Sequence, residues 1–511
     1  MSSRKKILTA LLMIGILAAV FAATAAVTST IRTDSSINTD AEDASNEDAS
    51  KEDAPKEDAS RGRSVPDLSQ EEVQVQAVEQ AEEQKEELAK KQEEEQETDL
   101  RQQVIFGDQR PDLYLPLLEG RRVALFSNQT GIVRGSEIDT DTEGWDLIPF
   151  RQTAEDMASE AEPVEHILDV LIRQGIDVRA VFSPEHGFRG TEDAGANVGD
   201  SVDEKTGIPI ISLYGSSSYP SGADLEVFDT LVVDIQDVGL RYYTYYITMI
   251  NLMDACAASG KEVVILDRPN PNGFYVDGPI LEDRFISGVG ALPLPVVHGM
   301  TLGELAQMAN GEGWLDAGLD ACRLTVVPCN HYSHADKIPL AVRPSPNLKD
   351  MRAVYLYASM CYFEKTACSV GRGTQNPFEI YGSPYLDGAK NHSFTFVPES
   401  MSGALSPPFE GETCYGRDLR EIPLEKIWSG QMNLEYLMEA YQVMQEMRPD
   451  ISFFGSPDGS GNYWIDYLCG TDRVRLMIEE GRKQEEIRDS WREDVEQFKS
   501  ERRPYLLYTE T

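Results

Sequence analysis

The chain has 511 residues and a formal net charge of −41, so it is long enough for more than one domain and is strongly acidic. This charge argues against a nucleic-acid-binding protein, which needs a basic surface, and against attraction to anionic surfaces in general. An anionic substrate would have to be recognised by local arginines.

The first 27 residues have the pattern of an export segment. Three basic residues (4–6) precede an apolar run (7–27), and residues 23–25 (Ala-Thr-Ala) fit a small-residue cleavage site. The run is just long enough to span a bilayer, so a cleaved signal peptide and an uncleaved membrane anchor are both open. In either case we expect the rest of the chain to be extracytoplasmic, because the positive charges stay inside.

Residues 28–104 have the composition of a disordered spacer. Residues 40–99 contain 22 acidic and 7 basic residues, and residues 42–60 repeat an acidic unit (EDAS, NEDAS, KEDAP, KEDAS). Such a segment cannot bury a core. The Glu- and Gln-rich stretch that follows lacks a sustained heptad pattern, which argues against a stable coiled coil. We interpret this region as a spacer that holds the folded part away from the membrane or within the wall; a low-complexity insert without a function is the alternative.

From about residue 118 onward the pattern predicts an α/β fold. Short apolar runs predict strands at residues 122–127, 178–182, 208–213, 231–235 and 263–266. Helical spacing predicts helices at residues 164–172 and 245–258, which end before Gly175 and Gly260. Alternating strands and helices are typical of a mainly parallel, Rossmann-like sheet. No G-x-G-x-x-G or Walker loop is present, so we expect no nucleotide cofactor.

Polar clusters follow four of the predicted strands. They lie at residues 127–130, 183–187, 234–241 and 267–271. Because the carboxyl ends of parallel strands meet at one edge of a sheet, where ligands bind in open α/β folds, we expect the four clusters to converge on one cleft.

The seven cysteines contain no C-x-x-C pair, which argues against a zinc ribbon or a thioredoxin-like site. We expect buried free thiols. A single disulfide between Cys322 and Cys329 is the alternative for an exported protein.

Several long motifs follow one another in the folded part. They are ALFSNQTGI, VRAVFSPEHGFRG, VVDIQDVGLRYYTY, LDRPNPNG with VDGP, PVVHGMTLGELA, FEKTACSVGRGTQNPF, GTDRVRLMIEEG and YLLY. In this order they resemble a family of exo-β-N-acetylmuramidases that was formerly a domain of unknown function. The resemblance covers about residues 118–508. An insertion-like stretch at residues 136–150 departs from the family pattern and lengthens the loop after the first strand.

The resemblance implies a Rossmann-like domain at residues 118–335, a smaller C-terminal α/β domain at residues 336–511, and an active site in the cleft between them. It also implies a glycoside hydrolase without a cofactor. Such an enzyme would release N-acetylmuramic acid from the non-reducing ends of peptidoglycan fragments, so the expected partners are peptidoglycan-derived sugars.

Glycoside hydrolysis needs a proton donor and stabilisation of an oxocarbenium-like transition state. Glu185 is the predicted general acid, because it sits at a sharp turn where partial desolvation would raise its pKa. The candidates for the second carboxylate are Asp237, Asp267 and Glu364, and Glu364 is expected to end a strand formed by the aromatic run before it. Asp267 could instead pair with Arg268. A nucleophilic carboxylate and a substrate-assisted route, in which Asp237 or Glu364 orients the 2-acetamido group, are both open.

N-acetylmuramic acid also carries a lactyl carboxylate, which a planar guanidinium can bind through two hydrogen bonds. Arg189, Arg241 and Arg372 lie near glycines within the motifs, and we predict that at least one of them binds the lactyl group. The other predicted substrate-binding residues are polar or aromatic side chains in the same motifs: Asn128, His186, Gln236, Tyr242, Asp267, Arg268, Asn270, His298 and Thr374.

A non-catalytic surface protein that captures muropeptides is the main alternative, since it would use the same cleft and arginine. Only the enzyme needs Glu185 as a proton donor. An esterase or amidase is less well supported because no G-x-S-x-G is present. A metallohydrolase is less well supported because the six histidines lack H-E-x-x-H spacing, and no metal is expected.

Overall fold

The structure is a computed structural model that describes residues 104–133, 165–184, 188, 200–213, 218–315 and 321–511. The predicted export segment (1–27), nearly all of the predicted spacer and the insertion-like stretch (136–150) lie outside the described residues. So do the candidate site residues Glu185, His186 and Arg189.

The described residues form twelve strands and twelve α-helices. The strands are β1 (Arg122–Ser127), β2 (Ile132–Val133), β3 (Glu165–His166), β4 (Asp177–Ser183), β5 (Ser201–Val202), β6 (Pro209–Ser212), β7 (Thr230–Asp234), β8 (Glu262–Leu266), β9 (Arg323–Val327), β10 (Ile380–Ser383), β11 (Phe394–Phe396) and β12 (Cys414–Asp418). The helices are α1 (Pro111–Leu118), α2 (Ile167–Arg173), α3 (Gly222–Glu226), α4 (Tyr245–Ala258), α5 (Leu302–Gly311), α6 (Met351–Met360), α7 (Leu424–Ile427), α8 (Glu435–Met447), α9 (Trp464–Cys469), α10 (Arg473–Glu479), α11 (Gln484–Asp489) and α12 (Arg492–Arg502).

A seven-stranded sheet with the order β5-β6-β4-β1-β7-β8-β9 organises the N-terminal part. Only β5 pairs antiparallel to its neighbour; the other pairs in this sheet are parallel. The chain builds outward from β1 through β4 and β6, then returns to the other side of β1 with β7, β8 and β9. The strand order therefore reverses between β1 and β7, and in open α/β sheets this reversal is where ligands bind. The predicted Rossmann-like fold is confirmed.

The apolar runs form strands because both faces of the sheet are covered. All five residues of β7 are buried, as are five of the six residues of β1. Uninterrupted apolar strands of this kind are typical of parallel sheets with helices on both sides. Helix α4 has the predicted bounds and ends just before Gly260, whose φ of +63° terminates the helix.

Side-chain caps determine where two of the helices begin. At α5 the Thr301 hydroxyl accepts from the Glu304 N–H at 3.3 Å, and a Glu304 carboxylate oxygen accepts from the Thr301 N–H at 2.9 Å. At α6 the Asp350 carboxylate accepts from the Ala353 N–H at 2.9 Å. Both caps satisfy backbone donors that a helix N-terminus otherwise leaves unpaired.

The C-terminal part contains helices α6 to α12 and an antiparallel sheet in the order β10-β12-β11. One expectation is wrong here, because the run before Glu364 is not a strand. That run forms α6 followed by a 3-10 helix, Cys361–Phe363, and nearly all of its residues are buried. A short apolar run buried on all sides does not reveal by periodicity whether it is helix or strand.

Side chains from the C-terminal part reach deep into the N-terminal part. Trp491 donates from its indole nitrogen to Asp277 at 2.8 Å, and the Arg502 guanidinium donates to the Gly299 carbonyl at 2.6 Å. Residues Thr98–Thr511 accordingly form one compact unit. The domain boundary expected between residues 335 and 336 stays a prediction.

All seven cysteines are buried free thiols, so the disulfide considered for Cys322 and Cys329 is not formed. The Cys329 thiol instead donates to the Asp267 carbonyl at 3.3 Å. No helix within the described ranges is both long enough and apolar enough to cross a membrane.

Candidate active site

The ends of β1, β4 and β7, where three of the polar clusters begin, lie at one edge of the sheet. Ser127 at the end of β1 is paired in register with Asp234 at the end of β7, and Phe126 is paired with Phe182 near the end of β4. Beyond the strands, the Thr130 hydroxyl accepts from the Gln236 N–H at 2.9 Å and joins the first cluster to the third. Among the described residues, the ends of these three strands therefore lie side by side, and the convergence of all four clusters on one cleft stays a prediction.

Arg268 is held at this edge by two carboxylates. Its guanidinium pairs with Asp234 at 2.6 Å and with Asp108 at 2.7 Å, and all three side chains are buried. A buried cation between two carboxylates satisfies most of its donors inside the protein. We therefore assign Arg268 a structural role, which corrects its predicted role in substrate binding.

Asp267 has different partners from the ones that the sequence suggested. Its carboxylate accepts from the hydroxyls of Thr301 at 2.7 Å and Tyr508 at 2.6 Å, and from the Gly303 N–H at 2.9 Å. The alternative that Asp267 pairs with Arg268 is wrong, because Arg268 pairs with Asp108 and Asp234. With both oxygens used and the side chain fully buried, Asp267 ties α5 and the chain end to β8, which corrects the prediction that it is a site carboxylate.

Arg241 is fully buried and holds loops together. Its guanidinium donates to the carbonyls of Pro279 at 2.8 Å, Leu294 at 2.6 Å and Leu468 at 3.0 Å. Burial lowers the pKa of Arg241 from its ordinary value. Because these bonds lie inside the core and use the guanidinium within the protein, we no longer predict that Arg241 binds the lactyl group.

Tyr242 and Asn270 are also used inside the protein. The Tyr242 hydroxyl donates to the Ala358 carbonyl at 2.7 Å, in a buried cluster with other tyrosines. The Asn270 amide donates to the Met300 carbonyl at 2.9 Å, and its oxygen accepts from the Asn272 N–H at 2.8 Å. Tyr242 is therefore used in the core, which corrects its predicted contact with substrate, whereas the predicted contact of Asn270, which also borders a cavity, stays a prediction.

Three further candidates are buried polar side chains near the strand ends. The Asn128 oxygen accepts from the Thr130 N–H at 2.9 Å, and the Gln236 amide donates to the Pro269 carbonyl at 2.8 Å. His298 accepts from the Met300 N–H at 3.2 Å, and burial lowers its pKa to about 3, so its imidazole is neutral. Their predicted contacts with substrate stay predictions.

Asp237 has the chemistry of a proton-exchanging group. It follows β7 at the point where the strand order reverses, and it is 7% exposed. One of its oxygens accepts from the Gly239 N–H at 2.7 Å, and the other is buried with no hydrogen-bond partner among the described residues. Burial raises the pKa of Asp237 to about 7, so this carboxyl can both donate and accept a proton near neutral pH.

The space beside Asp237 is small. A cavity of about 10 Å³ is bounded by Asp237 together with Gln236, Asn270 and Thr301. This volume suits one water molecule and excludes a sugar ring. Asp237 therefore has access to a water-sized space in this structure, and not to a sugar.

Glu364 and Arg372 lie together on the wall of a much larger cavity of about 510 Å³. A single Glu364 oxygen accepts from the Arg372 Nε at 2.9 Å and from its Nη2 at 2.5 Å. The Arg372 guanidinium also lies 5.1 Å from the centre of the Phe378 ring. These two contacts fix the guanidinium plane and leave its Nη1 edge unused by Glu364.

A tight turn at residues 371–374 carries Arg372. Gly371 and Gly373 have φ values of +79° and +81°, a conformation that favours glycine. Thr374 closes the turn, since its N–H and its hydroxyl both donate to the Gly371 carbonyl, at 3.1 and 2.6 Å. The predicted site residue Thr374 therefore shapes this turn.

Aromatic side chains connect the two regions. The Tyr243 and Tyr357 rings lie 6.4 Å apart, and Tyr357 packs on Phe378 at 4.7 Å. Burial and the neighbouring Tyr245, with a smaller contribution from the charge of Asp237, raise the pKa of Tyr243. Tyr243 and Arg372 are therefore linked through packed rings.

Sequence reasoning missed several residues of the larger cavity. Lys365 lies on its wall next to Glu364, and residues 403–408 also line it. The position of Lys365 beside Glu364 in the motif FEKTACSVGRGTQNPF was an available signal. No sequence feature indicated residues 403–408, because they reach the cavity only through the tertiary fold.

Two family models match consecutive parts of the chain. Residues 154–352 match the N-terminal region of the exo-β-N-acetylmuramidase NamZ, and residues 355–508 match its C-terminal region. The peptidoglycan β-N-acetylmuramidase NamZ of Bacillus subtilis (strain 168) is 36% identical over 348 residues, which cover 65% of this chain and 80% of that protein.

Two crystal structures of DUF1343 family proteins from Bacteroides fragilis NCTC 9343 are similar to this chain. The first, solved at 1.30 Å, is 44% identical with a TM-score of 0.67, and the second, solved at 1.65 Å, is 27% identical with a TM-score of 0.61. In both comparisons 80% of this chain and 100% of the other chain are covered. This chain belongs to the NamZ family of exo-β-N-acetylmuramidases.

Proposed function

We propose that this chain is an exo-acting glycoside hydrolase that releases N-acetylmuramic acid from the non-reducing ends of peptidoglycan fragments. The observation that carries the proposal is its relationship to the peptidoglycan β-N-acetylmuramidase of Bacillus subtilis, which extends over 80% of that protein. The chemistry at the strand ends and in the larger cavity is consistent with this reaction.

Arg372 is our choice for recognition of the lactyl carboxylate. Its side chain is 27% exposed on the wall of a cavity of about 510 Å³, large enough for a monosaccharide. Glu364 and Phe378 hold the guanidinium in one plane, and a planar guanidinium with a free edge matches a carboxylate. N-acetylglucosamine lacks the lactyl group, so this contact would distinguish the two sugars.

Glu364 then acts on Arg372 and not on the sugar. One of its carboxylate oxygens accepts both Arg372 hydrogen bonds, from Nε and from Nη2. This arrangement suits a positioning residue better than a nucleophile or a proton donor. We therefore reassign Glu364 from catalysis to the positioning of Arg372.

Glu185 remains our proposed proton donor, and Asp237 remains the proposed second carboxyl. In the reaction the bond between the anomeric carbon and the glycosidic oxygen breaks, and Glu185 gives its proton to the departing oxygen. Water adds to the anomeric carbon and gives its proton to one of the two carboxylates, which replaces the proton that left Glu185. Asp237 would exchange a proton through a water molecule, since the space beside it is too small for the sugar.

We also propose that the enzyme acts outside the cytoplasm, where its substrate is found. The support is the sequence of residues 1–27, which combines basic residues with an apolar run. Mass spectrometry of the mature N-terminus distinguishes a cleaved signal from an anchor. Cytoplasmic protein with an intact N-terminus would contradict the proposal.

The purified chain should cleave a chromogenic β-N-acetylmuramide and leave the matching β-N-acetylglucosaminide intact. Glu185→Gln should lower kcat by about 100-fold or more, the usual range for loss of a general acid, and should still bind N-acetylmuramic acid. Glu485→Gln, at an exposed position on α11, serves as the control and should keep full activity. Binding of N-acetylmuramic acid without any cleavage by the unaltered chain would favour a muropeptide-capturing protein instead.

A further inference from the structure

Residues 343–350, here called the connector, run between the Rossmann-like part and α6. On the side of the sheet, the Arg343 carbonyl accepts from the Gln129 amide at 3.0 Å. The Pro344 carbonyl accepts from the hydroxyls of Tyr243 at 2.5 Å and Tyr245 at 2.9 Å. The connector is therefore held against the strand end that bears Gln129 and against the tyrosines that follow Asp237.

The same connector contacts the larger cavity from its other side. The Asn347 amide donates to the Gly403 carbonyl at 2.8 Å, on the cavity rim. The Lys349 ammonium donates to the Thr374 carbonyl at 2.8 Å and lies 3.5 Å from the Gln375 side-chain oxygen. Eight residues thus connect the sheet edge with the cavity rim at Gly403 and with the turn that carries Arg372.

Lys349 is unusual because it is only 9% exposed. Lysine is rarely buried to this degree, since removing an ammonium from water is costly unless it gains partners. Burial and the neighbouring Arg343 lower the pKa of Lys349 to about 8, although Glu379 and Asp350 oppose this shift. If this position needed only to fill space, burying an apolar side chain would cost less free energy than burying an ammonium.

The Lys349 ammonium binds the turn that carries Arg372. Thr374 is the last residue of the turn at residues 371–374, and its carbonyl is the group that Lys349 contacts. The Gly373 carbonyl is held separately by the Glu399 N–H at 2.9 Å. The turn is therefore fixed at two successive carbonyls, one of them by the connector.

We propose that Lys349 is a positioning residue for muramic acid recognition, which holds the Arg372 turn in register with the sheet edge that bears Asp237. The proposal rests on the proposed function, because it assumes that Arg372 binds the lactyl group. Loss of the Lys349 ammonium should therefore reduce selectivity for N-acetylmuramic acid over N-acetylglucosamine, and should not reduce catalysis in general.

The test compares Lys349→Met with Lys337→Met in the full chain. Lys337 is the matched control, because burial also lowers its pKa to about 8 and its ammonium lies 3.6 Å from the centre of the Phe274 ring, with no contact to the turn. Calorimetry with N-acetylmuramic acid and with N-acetylglucosamine measures selectivity without requiring turnover. Thermal unfolding of both variants measures the structural cost.

We expect Lys349→Met to weaken binding of N-acetylmuramic acid by about 10-fold, the usual effect of losing one hydrogen bond from a charged group. It should raise KM for the muramide by a similar factor and change kcat little. Binding of N-acetylglucosamine should be unaffected, and Lys337→Met should change neither sugar. Lys349→Arg, which retains a cation, should recover part of the affinity.

Two results would overturn the inference. One is unchanged affinity for N-acetylmuramic acid in Lys349→Met. The other is an equal loss for both sugars accompanied by a lower Tm than in Lys337→Met, which would indicate a purely structural role. Arg372→Lys separates this inference from its premise: unchanged selectivity in that variant would refute the lactyl contact and the inference together. If Arg372→Lys loses selectivity and Lys349→Met keeps it, only the role of Lys349 is refuted.

Discussion

At the scale of single residues, environment separates carboxylates that look equivalent in the sequence. Glu364 is paired with a guanidinium, Asp267 accepts three hydrogen bonds, and Asp237 keeps one buried oxygen without a partner among the described residues. Burial raises the pKa of Asp237 to about 7. Of the three, Asp237 alone combines a position at the strand reversal with an unused acceptor.

This raised pKa predicts a pH-dependent stability. A carboxyl whose folded-state pKa is raised contributes stability that is fully present below its unfolded pKa, ordinarily 3.8, and is lost as the pH rises through about 7. Asp237→Asn cannot ionise, so we expect the variant to gain Tm relative to the unaltered chain between about pH 5 and about pH 9, with a free-energy change on the order of a few kcal/mol. Thermal unfolding across this range measures the difference. A Tm difference that stays constant with pH would contradict the assignment.

At the scale of structural elements, the turn at residues 371–374 decides where Arg372 points. A Cβ at Gly373 would lie 2.6 Å from Pro407 and 2.7 Å from the Glu399 carbonyl, in addition to the strain of a φ of +81°. Gly388 has a similar φ of +78°, but its Cβ position is free of contacts. Substituting alanine for each of these two glycines therefore distinguishes the effect of backbone strain from the effect of crowding at the cavity rim.

We expect Gly373→Ala to raise KM for the muramide about 10-fold and to lower Tm, because the turn must shift to relieve the contact with Pro407. Gly388→Ala should lower Tm only through backbone strain, because a residue other than glycine in the left-handed region costs about 1–2 kcal/mol of free energy. It should leave KM unchanged. Steady-state kinetics and thermal unfolding of both variants provide the comparison. An equal change of KM in the two variants would remove the turn from substrate recognition.

At the scale of the whole molecule, the last residues of the chain close onto the Rossmann-like part. The Leu507 N–H donates to the Glu304 carboxylate at 2.7 Å, and the Tyr508 hydroxyl donates to Asp267 at 2.6 Å while accepting from the Cys329 N–H at 2.8 Å. The C-terminus thereby satisfies buried groups at the end of β8. The two parts of the chain depend on each other for stability.

Tyr508→Phe should therefore destabilise the protein by about 1–3 kcal/mol, because it leaves a buried carboxylate with one donor fewer. Tyr505→Phe is the control: its hydroxyl donates at 2.7 Å to Glu312, an exposed partner, so we expect a change within about 0.5 kcal/mol. Urea unfolding measures both values. Similar stabilities for the two variants would mean that the chain end contributes little to the core.

Local patterns determined much of the fold. The bounds of α4 and β1 match their predictions, and the other predicted strands differ from β4, β6, β7 and β8 by only one residue at either end. These elements are predictable because apolar periodicity and glycine terminators act over a few residues. The strand predicted before Glu364 is wrong, because this run is buried on every side and its periodicity does not distinguish a helix from a strand.

The sequence by itself determined the fold class, the family and the edge of the sheet where three of the polar clusters begin. Only the tertiary structure decided what each side chain does there. Arg241 and Arg372 both lie in motifs near glycines, yet one is buried among three carbonyls and the other lies on a cavity wall. The physical reason is that hydrogen-bond partners and burial come from residues distant in the chain, as Lys349 does for the turn of Arg372.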